Sequence, residues 1–155
     1  MPVVLGVKCS KDGLEWAVLD GQDRRTVAML ELQRAQVPPA QDRGQELVWV
    51  RNVVLALVTR CGVAEAAVQA TESRGQTVLP ARAELDGVVQ EALAFRGVPV
   101  TRLVSTSLHS RYGVRKKDEF STKTAELPIV AGTAASRQAP LLAALALLPD
   151  SAPDR

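Results

Sequence analysis

The order of the apolar runs along the chain constrains the fold more than any other feature of the sequence. Three short runs rich in Val and Leu come first, and the pairs Asp12-Gly13 and Asp20-Gly21 lie between them. Apolar runs separated by Asp-Gly turns are typical of antiparallel hairpins. The predicted strands are Val3–Val7, Leu14–Leu19 and a third within Thr26–Gln36.

From about Gln45 the chain alternates between helical and extended patterns. Apolar residues from Leu47 to Val58 recur at the spacing of one helix face, and Gly62 supplies a C-terminal stop. Strands that alternate with helices require parallel pairing and right-handed crossovers. The sequence predicts helices over 45–61 and 81–96, strands over 63–71 and 98–104, a helix start at 105–107, an exposed loop or short helix over 111–123, and a last helix over 134–148 that starts nearer Gln138 because of Pro140.

Composition limits the classes of function. Only 3% of the 155 residues are aromatic, so the core has to be aliphatic and no stacking platform for single strands is evident. The net charge of +2 does not decide between partners. Cys9 and Cys61 lack metal-ligand spacing, and we expect reduced thiols without zinc or a disulfide. One domain over 1–149 with a frayed tail over 150–155 is expected.

Targeting signals are not evident. The chain enters a strand pattern directly after Met1-Pro2, without a basic region or a cleavage site. The apolar stretch Ala139–Leu148 is too short to cross a bilayer. We therefore expect a cytoplasmic protein with no membrane partner.

Several short motifs resemble one branch of the ribonuclease H superfamily, the RuvC-type Holliday junction resolvases. The opening Leu5-Gly6-Val7-Lys8, the run Trp16–Asp20, the strand Ala66–Gln69 and the segment Gly97–Val100, followed by Lys116-Lys117, are similar to the layout of that branch. The resemblance implies an α/β, ribonuclease-H-like fold: a mixed five-stranded sheet, with three antiparallel strands and then parallel additions, flanked by helices.

The resemblance also implies two-metal phosphodiester hydrolysis, in which carboxylates hold two magnesium ions. This chain departs from the pattern at each carboxylate position. Lys8 stands at the end of the first strand, Gln69 in the fourth strand, and Gln138 at the start of the last helix. These replacements predict a degenerate site without metal and favour a non-enzyme. Glu72, three residues after Gln69, could take over as a ligand or could pair with Lys8.

Two further segments are candidates for binding. The loop of Glu72 and Arg74 follows a buried strand, where ligand sites collect, and the planar fork of Arg74 suits a phosphate. The only dense basic cluster comprises Arg111, Arg115, Lys116 and Lys117, which could hold a nucleic-acid backbone. An ordinary polar loop and a solvated segment offset by acids are the alternative interpretations. His109 lacks a recognisable triad or nucleophile motif.

Three functions stay open at this point. The leading hypothesis is a catalytically degenerate binding module, a pseudoenzyme for nucleic acid or a protein partner in a bacterial assembly, with no cofactor. The second is a divergent nuclease that uses magnesium on Glu72 with Asp118 or Glu119. The third is a structural protein that forms homo-oligomers.

Overall fold

The architecture is a mixed five-stranded sheet covered by helices on both faces. A computed structural model describes residues 2–70 and 79–152. The strands run in the spatial order β3-β2-β1-β4-β5, and the central β1 is antiparallel to β2 and parallel to β4. The expectation of three antiparallel strands followed by parallel additions is confirmed. The strands are β1 (Val3–Cys9), β2 (Gly13–Asp20), β3 (Ala28–Gln36), β4 (Glu65–Gln69) and β5 (Val100–Leu103).

Six α-helices lie in the described part of the chain, and the first follows local capping rules at both ends. The Asp42 side chain accepts a hydrogen bond from the Gln45 amide at 2.9 Å at the start of the first helix. Gly62 ends that helix in the left-handed conformation, with φ of 65°, as the sequence indicates. The helices are α1 (Arg43–Cys61), α2 (Pro80–Phe95), α3 (Ser105–Arg111), α4 (Lys117–Ala125), α5 (Pro128–Ala131) and α6 (Gln138–Leu145).

Some elements differ from the expectation. The segment 111–123, predicted as an exposed loop or short helix, contains most of α4, whereas α5 was not predicted. Both parallel strands are shorter than predicted, because β4 pairs with β1 only from Glu65 to Gln69 and β5 pairs only with β4. The last helix is preceded by a 3₁₀ turn over Ala135–Arg137, and Pro140 lies in its first turn as expected.

The sheet has two faces with separate cores. Because side chains alternate along a strand, Leu5, Val7 and Val68 face α1 and α2, whereas Val4 and Ala67 face the other helices. Helices α3 to α6 contribute Leu108, Phe120, Val130 and Leu141–Leu145, among others, to this second core. We refer to the two sides as the α1/α2 face and the α6 face.

Gly6 on β1 lets α6 lie directly on the sheet. A methyl group at this position would overlap with the Pro140 carbonyl oxygen and the Ala144 backbone nitrogen. Glycine is therefore required by the close approach of two backbones. This contact holds α6 against the middle of β1.

The two cysteines are not joined to each other. Cys9 and Cys61 are free thiols, and burial together with Asp86 raises the pKa of Cys9, which disfavours its thiolate form. No helix within residues 2–70 and 79–152 is both long and apolar enough to span a membrane. The single domain boundary, the frayed tail and the cytoplasmic location stay predictions.

Candidate nucleic-acid interface

Four polar side chains form one row across the sheet at the carboxyl end of β1. Strand register places Lys8 beside Gln69 of β4 on one side and beside Glu15 of β2 on the other. Glu15 in turn pairs with Arg34 of β3. We call Gln69, Lys8, Glu15 and Arg34 the strand-end row.

The row lies on the α6 face. Gly6 lies two residues before Lys8 and contacts α6. Ala67 lies two residues before Gln69 and belongs to the core beneath α6. Residues two apart on a strand share a face, so both side chains of the row's inner half point to the side where α6 begins. The orientation of Lys8, which the sequence left open, is thereby defined.

The outer half of the row is an ion pair. Arg34 Nη2 lies 3.1 Å from Glu15 Oε2 and also donates to the Ser136 carbonyl oxygen at 3.2 Å, in the turn before α6. The neighbouring Arg137 donates to the Leu32 carbonyl of β3 at 2.8 Å. These two arginines tie the approach to α6 onto the end of β3.

Gln69 has an incompletely satisfied amide. Its Oε1 atom is buried and finds no donor among the residues that the structure describes. Buried polar atoms without a partner are rare in native proteins and cost stability. Its backbone carbonyl accepts from Arg82 Nη2 of α2 at 3.2 Å.

Gln138 has a local structural role. Its Nε2 atom donates to the Thr133 carbonyl at 2.8 Å and to the Val130 carbonyl at 3.2 Å. The Val130 carbonyl also accepts from the Thr133 amide at 3.0 Å, so the Gln138 side chain adds a second bond where α5 ends. The amide therefore joins α5 to the start of α6 and does not complete the strand-end row.

The described residues at this point do not fit a pair of magnesium ions. Magnesium prefers several oxygen ligands, whereas Lys8 offers a cation and Glu15 is already paired with Arg34. Within residues 2–70 and 79–152, no three His, Cys, Asp or Glu side chains are grouped so that they could hold a metal. The proposed ligand Glu72, its pairing with Lys8, and Arg74 lie outside the described residues.

Asp118 and Glu119 occupy another part of the surface. Both are exposed in the first turn of α4. Acidic side chains there stabilise the positive end of the helix dipole, and α4 has no side-chain cap at its start. Their position thus has a structural explanation.

The predicted basic cluster is exposed throughout. Arg111, Arg115, Lys116 and Lys117 all have solvent-accessible side chains between α3 and the start of α4. Lys123, one and a half turns further along α4, reaches back so that its Nζ lies 3.5 Å from the position a Cβ at Gly113 would take. We call these five residues the basic surface.

Both ends of the basic surface are anchored in the core beneath α6. Tyr112 is buried, and its hydroxyl donates to the Leu142 carbonyl at 2.6 Å. Burial raises the pKa of this phenol, which stays protonated as a donor. Phe120, at the other end, packs edge-on against Tyr112 at 5.2 Å and against the ring of His109 at 4.4 Å. His109 therefore has a packing role.

Arg24 fixes the first of these anchors from the turn between β2 and β3. It is only 6% exposed. Its Nε donates to the Leu145 carbonyl and its Nη2 to the Arg111 carbonyl, each at 2.9 Å. The guanidinium also stacks over the Tyr112 ring, 4.2 Å from its centre. A buried arginine thus joins the basic surface to α6.

Sequence patterns gave no indication of several of these residues. Arg34 and Glu15 join Lys8 only through strand register, which periodicity does not specify. Arg24 follows a turn in a polar stretch where an exposed side chain is the ordinary expectation. Lys123 joins the cluster only through the fold, because its Nζ lies near Gly113.

Comparison with solved structures identifies the fold. The chain matches the RuvC structure of Thermus thermophilus in complex with a Holliday junction substrate, with a TM-score of 0.75 and 20% identity over 94% of this chain and 92% of that one. A second T. thermophilus RuvC structure gives a TM-score of 0.74 at 19% identity, covering 93% and 92%. The yeast mitochondrial Holliday junction resolvase gives 0.56 at 9% identity, covering 92% and 77%.

The chain therefore has a ribonuclease-H-like fold. Within that class its architecture is of the RuvC type, as the sequence resemblance implied. No protein-family model matches the sequence, and no curated protein matches it.

Proposed function

We propose that this chain is a RuvC-like domain that binds nucleic acid through its basic surface and does not carry out the metal-dependent hydrolysis implied by the resemblance. The observation that supports binding most directly is the anchored display of Arg111, Arg115, Lys116, Lys117 and Lys123. Exposed cations on a fixed segment can contact successive phosphates, and each contact releases counterions.

The acids beside the basic surface do not argue against binding. Asp118 and Glu119 lie in the first turn of α4, where they complement the helix dipole. Their structural role explains why acids follow the cations at once. The sequence pattern alone slightly favoured a solvated loop, because the acids follow the cations at once.

Lys8 is the main reason for proposing that this domain does not hydrolyse nucleic acid. A lysine and an ion-paired Glu15 stand where hard oxygen ligands are needed. Nothing in the described residues brings Asp118 or Glu119 to the strand-end row, so no observation favours the nuclease that would use them. T. thermophilus RuvC was solved with a Holliday junction, and a four-way junction is the first ligand to test here.

The test is a fluorescence anisotropy titration with labelled four-way junction, duplex and single-stranded DNA at several salt concentrations. The variant Lys116→Gln/Lys117→Gln removes two charges from the basic surface. We expect the slope of log affinity against log salt to fall by about 2 and the affinity to fall on the order of tenfold.

The control is Arg51→Gln/Arg96→Gln, which removes the same charge from the α1/α2 face. It should leave affinity nearly unchanged. Equal losses in the two variants would show that only net charge matters. No binding to any of the three DNAs would overturn the proposal and favour a protein partner or a homo-oligomer.

A further inference from the structure

We infer that the strand-end row is a second phosphate-binding site, in which Lys8 and Arg34 hold a backbone phosphate of nucleic acid without a divalent cation. The inference rests on the proposed function and adds a site at the end of the sheet, away from the basic surface.

The row borders an open cavity large enough for a phosphate and its sugar. The cavity has a volume of about 440 Å³ and is lined by residues 8–10, 12–15 and 34–36. Lys8 and Arg34 stand on either side of Glu15, and all three side chains lie in the cavity wall. The two cations therefore border one cavity from β1 and β3, on either side of β2.

Hydrogen-bond donors remain available in this space. Arg34 uses only Nη2 for its bonds to Glu15 and Ser136. Its Nε and Nη1 groups, and the ammonium of Lys8, have no partner among the residues that the structure describes. The Arg34 side chain is 61% exposed, so a ligand can reach it. A planar guanidinium and an ammonium suit phosphate oxygens.

The charge balance also permits an anion. Glu15 is neutralised by Arg34 at 3.1 Å, which leaves Lys8 as the uncompensated charge of the row. Asp12 lies at the exposed mouth of the cavity, where it accepts from Ser10 Oγ at 3.4 Å. Solvent screens a charge at such an exposed position more than one beside the sheet. The two cations and the two acids of the lining balance, so Lys8, away from the Arg34–Glu15 ion pair, is the charge that a phosphate would meet.

The strand-end row differs from a metal-binding site in that it carries its own cations, Lys8 and Arg34. A site of carboxylates repels phosphate until divalent cations are bound. A site that carries its own lysine and arginine needs no such ions. Binding at the row should therefore be the same with and without magnesium.

The experiment measures affinity of the labelled DNA that the wild type binds best, in EDTA and in magnesium. Lys8→Gln should reduce the salt slope by about 1 and the affinity several-fold. Lys8→Arg keeps the charge and should retain most of the affinity. The control Lys11→Gln removes an exposed lysine of the same turn that does not line the cavity and should have little effect.

Glu15→Gln separates binding from a structural role. Removing this carboxylate frees Arg34 and should raise affinity several-fold, whereas a row that only supports the fold predicts no gain. Inorganic phosphate is then added as a competitor, with chloride at equal ionic strength as the control. If free phosphate fills the site as well, phosphate should abolish the difference in DNA affinity between the wild type and Lys8→Gln, and chloride should not.

The outcomes are separable from those of the proposed function. Wild-type binding that is lost in Lys116→Gln/Lys117→Gln but unchanged in Lys8→Gln would overturn this inference alone. Binding that requires magnesium would also overturn it. Absence of any wild-type binding would overturn both proposals.

Discussion

The two faces of the sheet are held to their helices by different kinds of contact. On the α1/α2 face, two long helices of 19 and 16 residues bury a continuous aliphatic core. The ion pairs of these helices are at least partly exposed, as in that of Arg51 with Glu91, whereas Asp86 of α2 is a buried polar group beside Cys9. On the α6 face, four short helices are joined by buried polar groups such as Arg24 and Tyr112.

The comparison shows that the candidate binding regions lie on the face whose helices are positioned by specific polar contacts. Long amphipathic helices are stabilised by apolar burial and need no specific anchors. Short helices gain less from burial, so specific contacts have to fix their positions. Both candidate binding regions, the strand-end row and the basic surface, are carried by the α6 face, and their geometry depends on those contacts.

The largest expected effect is that of Gly6→Ala. The added methyl would meet backbone atoms of α6 that cannot rotate away, so we expect a loss of at least about 3 kcal/mol in the free energy of unfolding, or no folding at all. Urea unfolding measures the change.

Gly87→Ala on α2 is the matched change for the other face. No atom lies within 4 Å of the added methyl, and alanine favours a helix, so stability should rise by about 0.5–1 kcal/mol. If Gly6→Ala were as harmless as Gly87→Ala, α6 would not lie directly on β1.

Replacement of buried and exposed arginines should give the next largest difference. Arg24→Met removes the guanidinium bonds to the carbonyls of Leu145 and Arg111, and only the Leu145 carbonyl keeps a backbone donor, the Leu148 amide; we expect a cost of about 3 kcal/mol. Arg51→Met removes an exposed ion pair with Glu91 and should cost less than about 1 kcal/mol. Thermal and urea unfolding compare the two, and equal losses would contradict the proposed difference between the faces.

Arg24→Met should also weaken DNA binding, because the variant frees the Arg111 end of the basic surface. The measurement is anisotropy at a temperature where the variant is fully folded. An unchanged affinity there would mean that the anchor does not position the cations.

The smallest effect concerns acid stability on the α1/α2 face. Glu31 of β3 accepts two bonds from Arg60 at 2.9 Å and one from Trp16 at 3.0 Å. Its bonds with Arg60, foremost, lower the pKa of the carboxyl below its ordinary value of 4.5, against the opposing effect of burial. Because the pKa is lower in the folded state, the charged carboxylate stabilises the folded protein above about pH 4.5. This stabilisation is lost as the pH falls.

Glu31→Gln should therefore reduce stability slightly at pH 7 and have almost no effect near pH 3. Unfolding in urea at the two pH values checks this difference. A larger loss at pH 3 than at pH 7 would contradict the sign of the pKa shift.

The same contrast explains how much the sequence could predict. The apolar spacing from Leu47 to Val58 and the glycine stop at Gly62 predicted α1 well, because burial of one face determines that helix. Helices α4 and α5 lack such a period, and tertiary contacts of Phe120 and Val130 decide them. A sequence pattern cannot report a contact that exists only after folding.

The residues of the candidate site were likewise predicted only in part. Lys8 and Gln69 were identified from the sequence, and strand register brings them side by side. Glu15 and Arg34 were not identified, since their place beside Lys8 depends on the pairing of three strands. Glu72 and Arg74 lie outside the described residues and stay predictions.

The most direct test of the account is the affinity of the wild-type protein for a labelled four-way junction, measured with excess EDTA and with magnesium at equal ionic strength. The account predicts saturable binding of equal strength in both and an intact junction after prolonged incubation with magnesium. Binding only with magnesium, or cleavage of the junction, would contradict it and would make Lys8 part of a working metal site.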